Sequence, residues 1–185
     1  MSKGERSTIL ILPGICNSGD AHWQTRWEKL HAQHPRFQLK RIAQTDWDHP
    51  ICAQWVQALE QHVRNAGQGT VLVAHSLACL MLVHWAAQTT LAQHIDQALL
   101  VAVPDPQGAA FPRDASGFGK LPGTRLPFPS KLLCSSNDPY SSLDFSRRCA
   151  AKWGCSLSEL GALGHINDQS GLGDWPQGWA ALGAD

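Results

Sequence analysis

Three side chains in this sequence are of the types that together cleave acyl bonds. Ser76 stands in LVAHSLAC (72–79), Asp138 in SSNDPYSS (135–142) and His165 in LGHINDQS (163–170). A serine hydroxyl is a weak nucleophile at neutral pH and needs a neighbouring base. An imidazole suits that task because its pKa lies near the working pH. The imidazole in turn needs a carboxylate, which fixes its tautomer and stabilises its charged form. Each residue alone has a plainer reading: Ser76 as a helix N-cap, Asn137-Asp138-Pro139 as an ordinary turn, His165 as a loop histidine. The arrangement sets them apart, because each follows the expected end of a strand.

Those strands must place them. Ser7 to Leu12 (STILIL) is a β-branched run stopped by Pro13-Gly14 and reads as a central strand. Apolar runs at 70–74, within 95–103, at 131–135 and at 157–160 predict further strands, and 37–42 alternates like a half-buried one. Between them, 20–33, 51–63, 77–88 and 142–153 carry apolar residues at helical spacing, and a short helix is expected over 177–182. Asp20 is a candidate cap for the first helix. Strands alternating with helices predict an α/β fold, a mostly parallel sheet with helices on both faces in three layers, in one domain over 1–185. Segment 104–130, rich in proline and glycine, is expected to form a surface loop over the carboxyl edge of the sheet.

Beyond the carboxyl ends of parallel strands is where catalytic groups gather. The order Ser…Asp…His is that of α/β-hydrolases, whose nucleophile sits in a G-x-S-x-G elbow. Here the elbow reads Ala74-His75-Ser76-Leu77-Ala78: small flanks, but no glycine. A tetrahedral oxyanion would need two fixed backbone N–H groups. One should come from Leu77, and the other from the loop after the first strand, Ile15 before Cys16; the alternative for that loop is a mere connection. His75 is expected to turn its side chain away from Ser76, into packing or a polar contact. Asn17, Trp23, Trp47 and His75 are candidates to line a pocket, with core packing the favoured reading for the two tryptophans.

Composition narrows the classes. The chain has 185 residues, 43% apolar, 16% charged, with formal net charge zero. That suits a globular protein and predicts no binding to nucleic acid or to an anionic membrane. The apolar stretch 70–87 is interrupted by His75, Ser76 and His84, so it reads as strand plus helix rather than a membrane span. The N-terminal MSKGERSTILILPG has too brief an apolar stretch for a signal peptide. The six cysteines form no CxxC and read as mostly buried, reduced thiols of a cytoplasmic protein. No metal-ligand spacing, P-loop or dinucleotide fingerprint occurs, so no cofactor and no metal are expected.

The segments LPGICNSGDAHWQTRWE (12–28), VAHSLACL (73–80), SSNDPYSS and LGHINDQSGLGDWPQGW (163–179) resemble the small serine hydrolases that include retinoblastoma-binding protein 9. The resemblance spans nearly the whole chain. It implies a compact α/β-hydrolase without a large cap, the family's serine, aspartate and histidine falling on Ser76, Asp138 and His165, and activity on small esters or amides. This chain departs from the family at Ala78, where glycine is usual. The pocket-protein motif LxCxE is also absent, since Leu132-Leu133-Cys134-Ser135-Ser136 lacks the acid, so that partner is not expected. The sequence thus predicts a serine hydrolase acting on a small acyl substrate through an acyl-serine. A thioesterase is a variant of that reading. The alternative class is a non-catalytic interaction module on a hydrolase scaffold, motivated by Ala78 and segment 104–130.

Overall fold

A computed structural model describes residues 6–183. The first five residues of the stretch weighed above as a signal peptide lie outside the described residues. Six strands form one parallel sheet: β1 (Ser7–Leu12), β2 (Phe37–Arg41), β3 (Thr70–His75), β4 (Ile95–Val101), β5 (Ser130–Cys134) and β6 (Ser156–Glu159), in the order β2-β1-β3-β4-β5-β6. The chain runs outward from β1 to β2, then returns to lay β3 on the other side of β1. That reversal leaves a crevice beyond the carboxyl ends of β1 and β3.

Because side chains alternate along a strand, each central strand feeds two cores. Leu10, Leu12, Leu72, Ala74, Leu100 and Leu132 face α2 (Cys52–Ala66), α3 (Leu77–Ala86) and α4 (Leu143–Trp153). Ile9, Ile11, Val71, Val73, Leu99 and Val101 face α1 (Trp23–Leu30) and α5 (Pro176–Ala180), where Trp23, Trp27, Trp175 and Trp179 pack together. Helix α3 is buried at every residue from Leu77 to Val83, which explains why its sequence is apolar all round.

One local expectation is corrected and another extended. Helix α1 begins at Trp23, because His22 is its cap: its Nδ1 accepts the Gln24 N–H at 3.2 Å. Asp20 instead lies on the surface and pairs with Lys29 at 2.9 Å. Segment 104–130 is irregular as predicted, but it does more than cover the carboxyl edge. It exchanges backbone bonds with the start of α2, Cys52 N–H to Ser116 C=O and Ser116 N–H to Pro50 C=O, each 2.9 Å. It then reaches the end of α4, where the Leu126 N–H meets the Trp153 carbonyl at 2.8 Å. Phe118 and Phe128 are buried and Phe111, Leu121 and Leu126 pack on the same core. The strap therefore supplies the apolar layer that a crossover helix would otherwise bring between β4 and β5.

All six cysteines are free, and Cys52, Cys79, Cys134 and Cys149 are buried. Among the described residues no helix is long and apolar enough to cross a membrane.

Candidate active site

Ser76 is the single residue between β3 and α3, with φ 54° and ψ −125°. A non-glycine residue in that region costs about 1–3 kcal/mol and persists only where the surroundings impose it. They do so here. The Ser76 N–H donates to the Val101 carbonyl and the Cys79 N–H to the Ser76 carbonyl, each at 2.9 Å. Ala74 and Ala78 are wholly buried beneath the turn. Gly14 crosses so close that a Cβ there would lie 3.0 Å from the Ser76 Cβ and 3.1 Å from the His75 carbonyl oxygen. This approach, rather than an unusual torsion, is why glycine follows Pro13.

The other two residues come to meet it. His165 Nε2 lies 2.7 Å from the Ser76 Oγ. On the far side of the ring, Nδ1 lies 2.9 Å from both carboxylate oxygens of Asp138. The acceptor there is a carboxylate, so Nδ1 carries the proton and Nε2 is free to accept one. Asp138 Oδ1 is also held by the Tyr140 N–H at 2.9 Å, and its side chain is only 2% exposed. Polar side chains of the β5 loop tie it to the histidine loop. Asn137 Oδ1 accepts the Gly164 N–H at 2.7 Å and the Ser135 hydroxyl at 2.9 Å, while Ser135 Oγ accepts the Leu163 N–H at 2.9 Å.

Around Ser76 the backbone amides divide. Leu77 opens α3, so its N–H belongs to the unpaired first turn, at the positive end of the helix. Ile15 donates its N–H to nothing among the described residues. Cys16, the second candidate after Ile15, is different: its N–H donates to the Trp47 carbonyl at 2.9 Å, so an oxyanion could use it only by breaking that bond. The loop is closed by the Asn17 N–H on the Gly14 carbonyl at 3.2 Å, with Cys16 and Asn17 both in the left-handed region at φ 62° and 61°. Arg41 braces it from outside, donating to Asn17 Oδ1 at 2.9 Å and the Ser18 carbonyl at 2.8 Å while paired with Glu28.

These groups border a cleft of about 480 Å³. Asn17 and His75 lie on its wall. Trp23 and Trp47 do not. Trp23 is 1% exposed within the tryptophan cluster, and Trp47 packs edge-on against Trp55 with centroids 5.6 Å apart. Large aromatic rings contribute more by burial than by facing water. The sequence reading missed Tyr140, whose ring covers His165 at 4.5 Å, and the polar wall made by His22, Asn167, Asp168 and Gln169. Tyr140 stands two residues after Asp138, a spacing that could have exposed it. His22 gave no such signal, because it reaches the cleft only through the packing of α1.

Burial dominates the titration of the cleft's inner histidines. It pushes His22 down to about 4, against a weaker opposing pull from Asp168, and holds His75 well below the usual imidazole range. Both are therefore neutral at pH 7. Among the described residues no three His, Cys, Asp or Glu side chains converge as a metal-binding group.

A parallel sheet with helices on both faces and a strained serine at the β3–α3 turn defines the α/β-hydrolase class. The chain matches the serine hydrolase family over residues 9–184 and belongs to it. Among solved structures it resembles a YdeN-like hydrolase from Pectobacterium atrosepticum, with 29% identity and TM-score 0.80 over 97% of this chain and 90% of that one. It also resembles the ydeN gene product of B. subtilis, with 17% identity and TM-score 0.79 over 96% and 97%. At the level of fold alone it is similar to the type II thioesterase BorB from the borrelidin biosynthetic cluster, with 14% identity and TM-score 0.70 over 98% and 94%. A search of curated proteins returns no match.

Proposed function

We propose that this serine hydrolase cleaves small esters or amides, with Ser76 as nucleophile, His165 as general base and then acid, and Asp138 as the group that orients His165. One observation carries the reading: a serine hydroxyl 2.7 Å from an imidazole nitrogen whose opposite nitrogen rests on a buried carboxylate. In the first half-reaction Oγ attacks the substrate carbonyl carbon while its proton passes to Nε2. The carbonyl oxygen takes the negative charge against the N–H groups of Leu77 and Ile15. As the tetrahedral adduct collapses, Nε2 returns that proton to the departing alkoxide or amine and the acyl group stays on Ser76. Water then repeats the sequence and releases the acid.

A cleft of this volume lies within the usual range for small-molecule sites and favours a small acyl substrate. We place the protein in the cytoplasm, as a single domain without a bound cofactor. Segment 104–130 motivates the alternative of a non-catalytic binding role, but it buries Phe118 and Phe128 and packs the half-buried Phe111, Leu121 and Leu126 against the same core, which favours a structural part for it. Exposure to a fluorophosphonate probe tests the assignment. Wild type should be labelled and Ser76→Ala should not, and equal labelling of the two ends the reading. A panel of p-nitrophenyl esters, anilides and thioesters then sorts the leaving groups.

A further inference from the structure

His165 sits on an improbable piece of backbone. Gly164 has φ 59° and Ile166, fully buried, has φ 50°. A β-branched residue in the left-handed region is an outlier that its surroundings must enforce. Two aromatic donors do so from beneath. His75 Nε2 lies 3.0 Å from the His165 carbonyl oxygen. Trp23 Nε1 donates to the next carbonyl, that of Ile166, at 2.8 Å. A carbonyl can only accept, so His75 carries a proton on Nε2. The two rings also touch each other, edge to face at 6.0 Å, and Trp23 is wedged between Trp27 and Trp175 at 4.6 and 4.9 Å. His75 borders the cleft, yet its one ring N–H is committed to the histidine loop.

We infer that His75 and Trp23 are positioning residues: a pair of buried aromatic N–H groups that grip the consecutive carbonyls of His165 and Ile166 and so fix the base against Ser76. This rests on the assignment of His165 as general base. His75 adjoins the nucleophile in sequence and holds the base in space, so one residue ties the two reacting groups together. Neither side chain is required to touch substrate. Their loss should therefore weaken the chemical step and spare binding, since small displacements of a catalytic group cost up to about 100-fold in rate.

The test compares variants that lack the donor with one that keeps it. His75→Leu removes the N–H, His75→Gln places an amide N–H near the same point, and Trp23→Phe keeps a ring without a donor. With p-nitrophenyl acetate, His75→Leu and Trp23→Phe should lower kcat by about 10–100-fold with KM within about twofold, and His75→Gln should recover most of the loss. Wild-type kcat in His75→Leu, or a His75→Gln as slow as His75→Leu, overturns the proposal. The ring 15N shifts of His165 give a readout independent of turnover. They should move in His75→Leu and Trp23→Phe and stay near wild type in His75→Gln, and unchanged shifts in both donor-free variants overturn the clamp. Should His75→Leu fail to fold, Trp23→Phe decides by the same two measurements. A wild type that resists fluorophosphonate defeats the hydrolase assignment, whereas a labelled wild type with unaffected variants defeats only the clamp.

Discussion

Ser76 and His165 lie 2.7 Å apart, but the chain holds them there by different means. Ser76 is fixed by regular structure: a wholly buried strand enters the turn, a helix buried from Leu77 to Val83 leaves it, and small residues beneath allow the bend. His165 is on a loop between β6 and the short 3₁₀ turn Asp168–Ser170. Its immediate chain supplies only a turn, closed by the Ile166 N–H on the Leu163 carbonyl at 3.3 Å and by the Ser170 hydroxyl on the same carbonyl at 2.6 Å. Its place depends on side chains from elsewhere: Ser135 and Asn137 on one flank, Trp23 and His75 below, Asp138 behind. A nucleophile on a strand-to-helix turn is positioned by secondary structure, and a base on a loop by tertiary hydrogen bonds. The second arrangement is easier to perturb without unfolding the protein.

The largest expected effect removes one side of the comparison altogether. Ser76→Gly should abolish turnover, a fall in kcat of about 10⁶. It should also raise stability by up to about 1 kcal/mol, because glycine relaxes the positive φ; a lower urea midpoint would show that the elbow is not strained. On the other side, Asp138→Asn should keep the fold and lower kcat by about 10⁴, through loss of the correct imidazole tautomer. A decrease below about tenfold would mean that the loop holds His165 without its carboxylate. Gly14→Ala presses a methyl on Ser76 and the His75 carbonyl and should displace the Ile15 amide, costing about 100-fold in kcat as for the loss of one oxyanion donor. Full activity in that variant would remove Ile15 from the proposed hole.

Acid should probe the packing beneath the histidine loop. His22 and His75 are neutral in the folded state, their pKa values depressed below the ordinary 6.5, to about 4 for His22. Between those limits the unfolded chain binds protons that the folded chain excludes. Stability therefore falls as pH is lowered through 6.5, by up to about 1.4 kcal/mol per pH unit for each histidine, and the His22 contribution stops falling near pH 4. Urea unfolding across that range should show the slope, and His22→Asn, which retains a capping oxygen, should flatten it. An unchanged slope would mean that other groups set the acid limit. The smallest effect belongs to the elbow: Ala78→Gly should leave kcat within about threefold and lower stability by about 1 kcal/mol, the cost of glycine inside a helix. A large gain in kcat would instead show that the Ala78 methyl constrains the turn.

Much of the scaffold is legible in the sequence. The apolar runs mark β1 and β3 nearly to the residue, and the pattern change at Ser76 marks the turn, because both signals are local. The segments bearing Asp138 and His165 can be grouped with Ser76 because parallel topology puts strand ends on one edge. Smaller features are hard to read where several local acceptors compete. Asp20 and His22 both precede α1, and only the packed helix shows that the imidazole is the cap. Trp23 and Trp47 follow strand ends and pack inward, the favoured of their two readings, since burying an indole releases more apolar surface than lining a wet cleft.

The succession of strands and helices along the chain, the small residues of the elbow and the chemical types at Ser76, Asp138 and His165 were therefore determined by the sequence itself, through period, size and spacing. Tertiary structure alone decided which amides around Ser76 are free, that Cys16 is engaged with Trp47, and that His75 and Trp23 reach across 90 and 143 residues to hold the histidine loop. Hydrogen bonds between distant segments leave no periodic trace in the chain. They exist only after the two cores have closed and fixed the donor and acceptor within about 3 Å of each other.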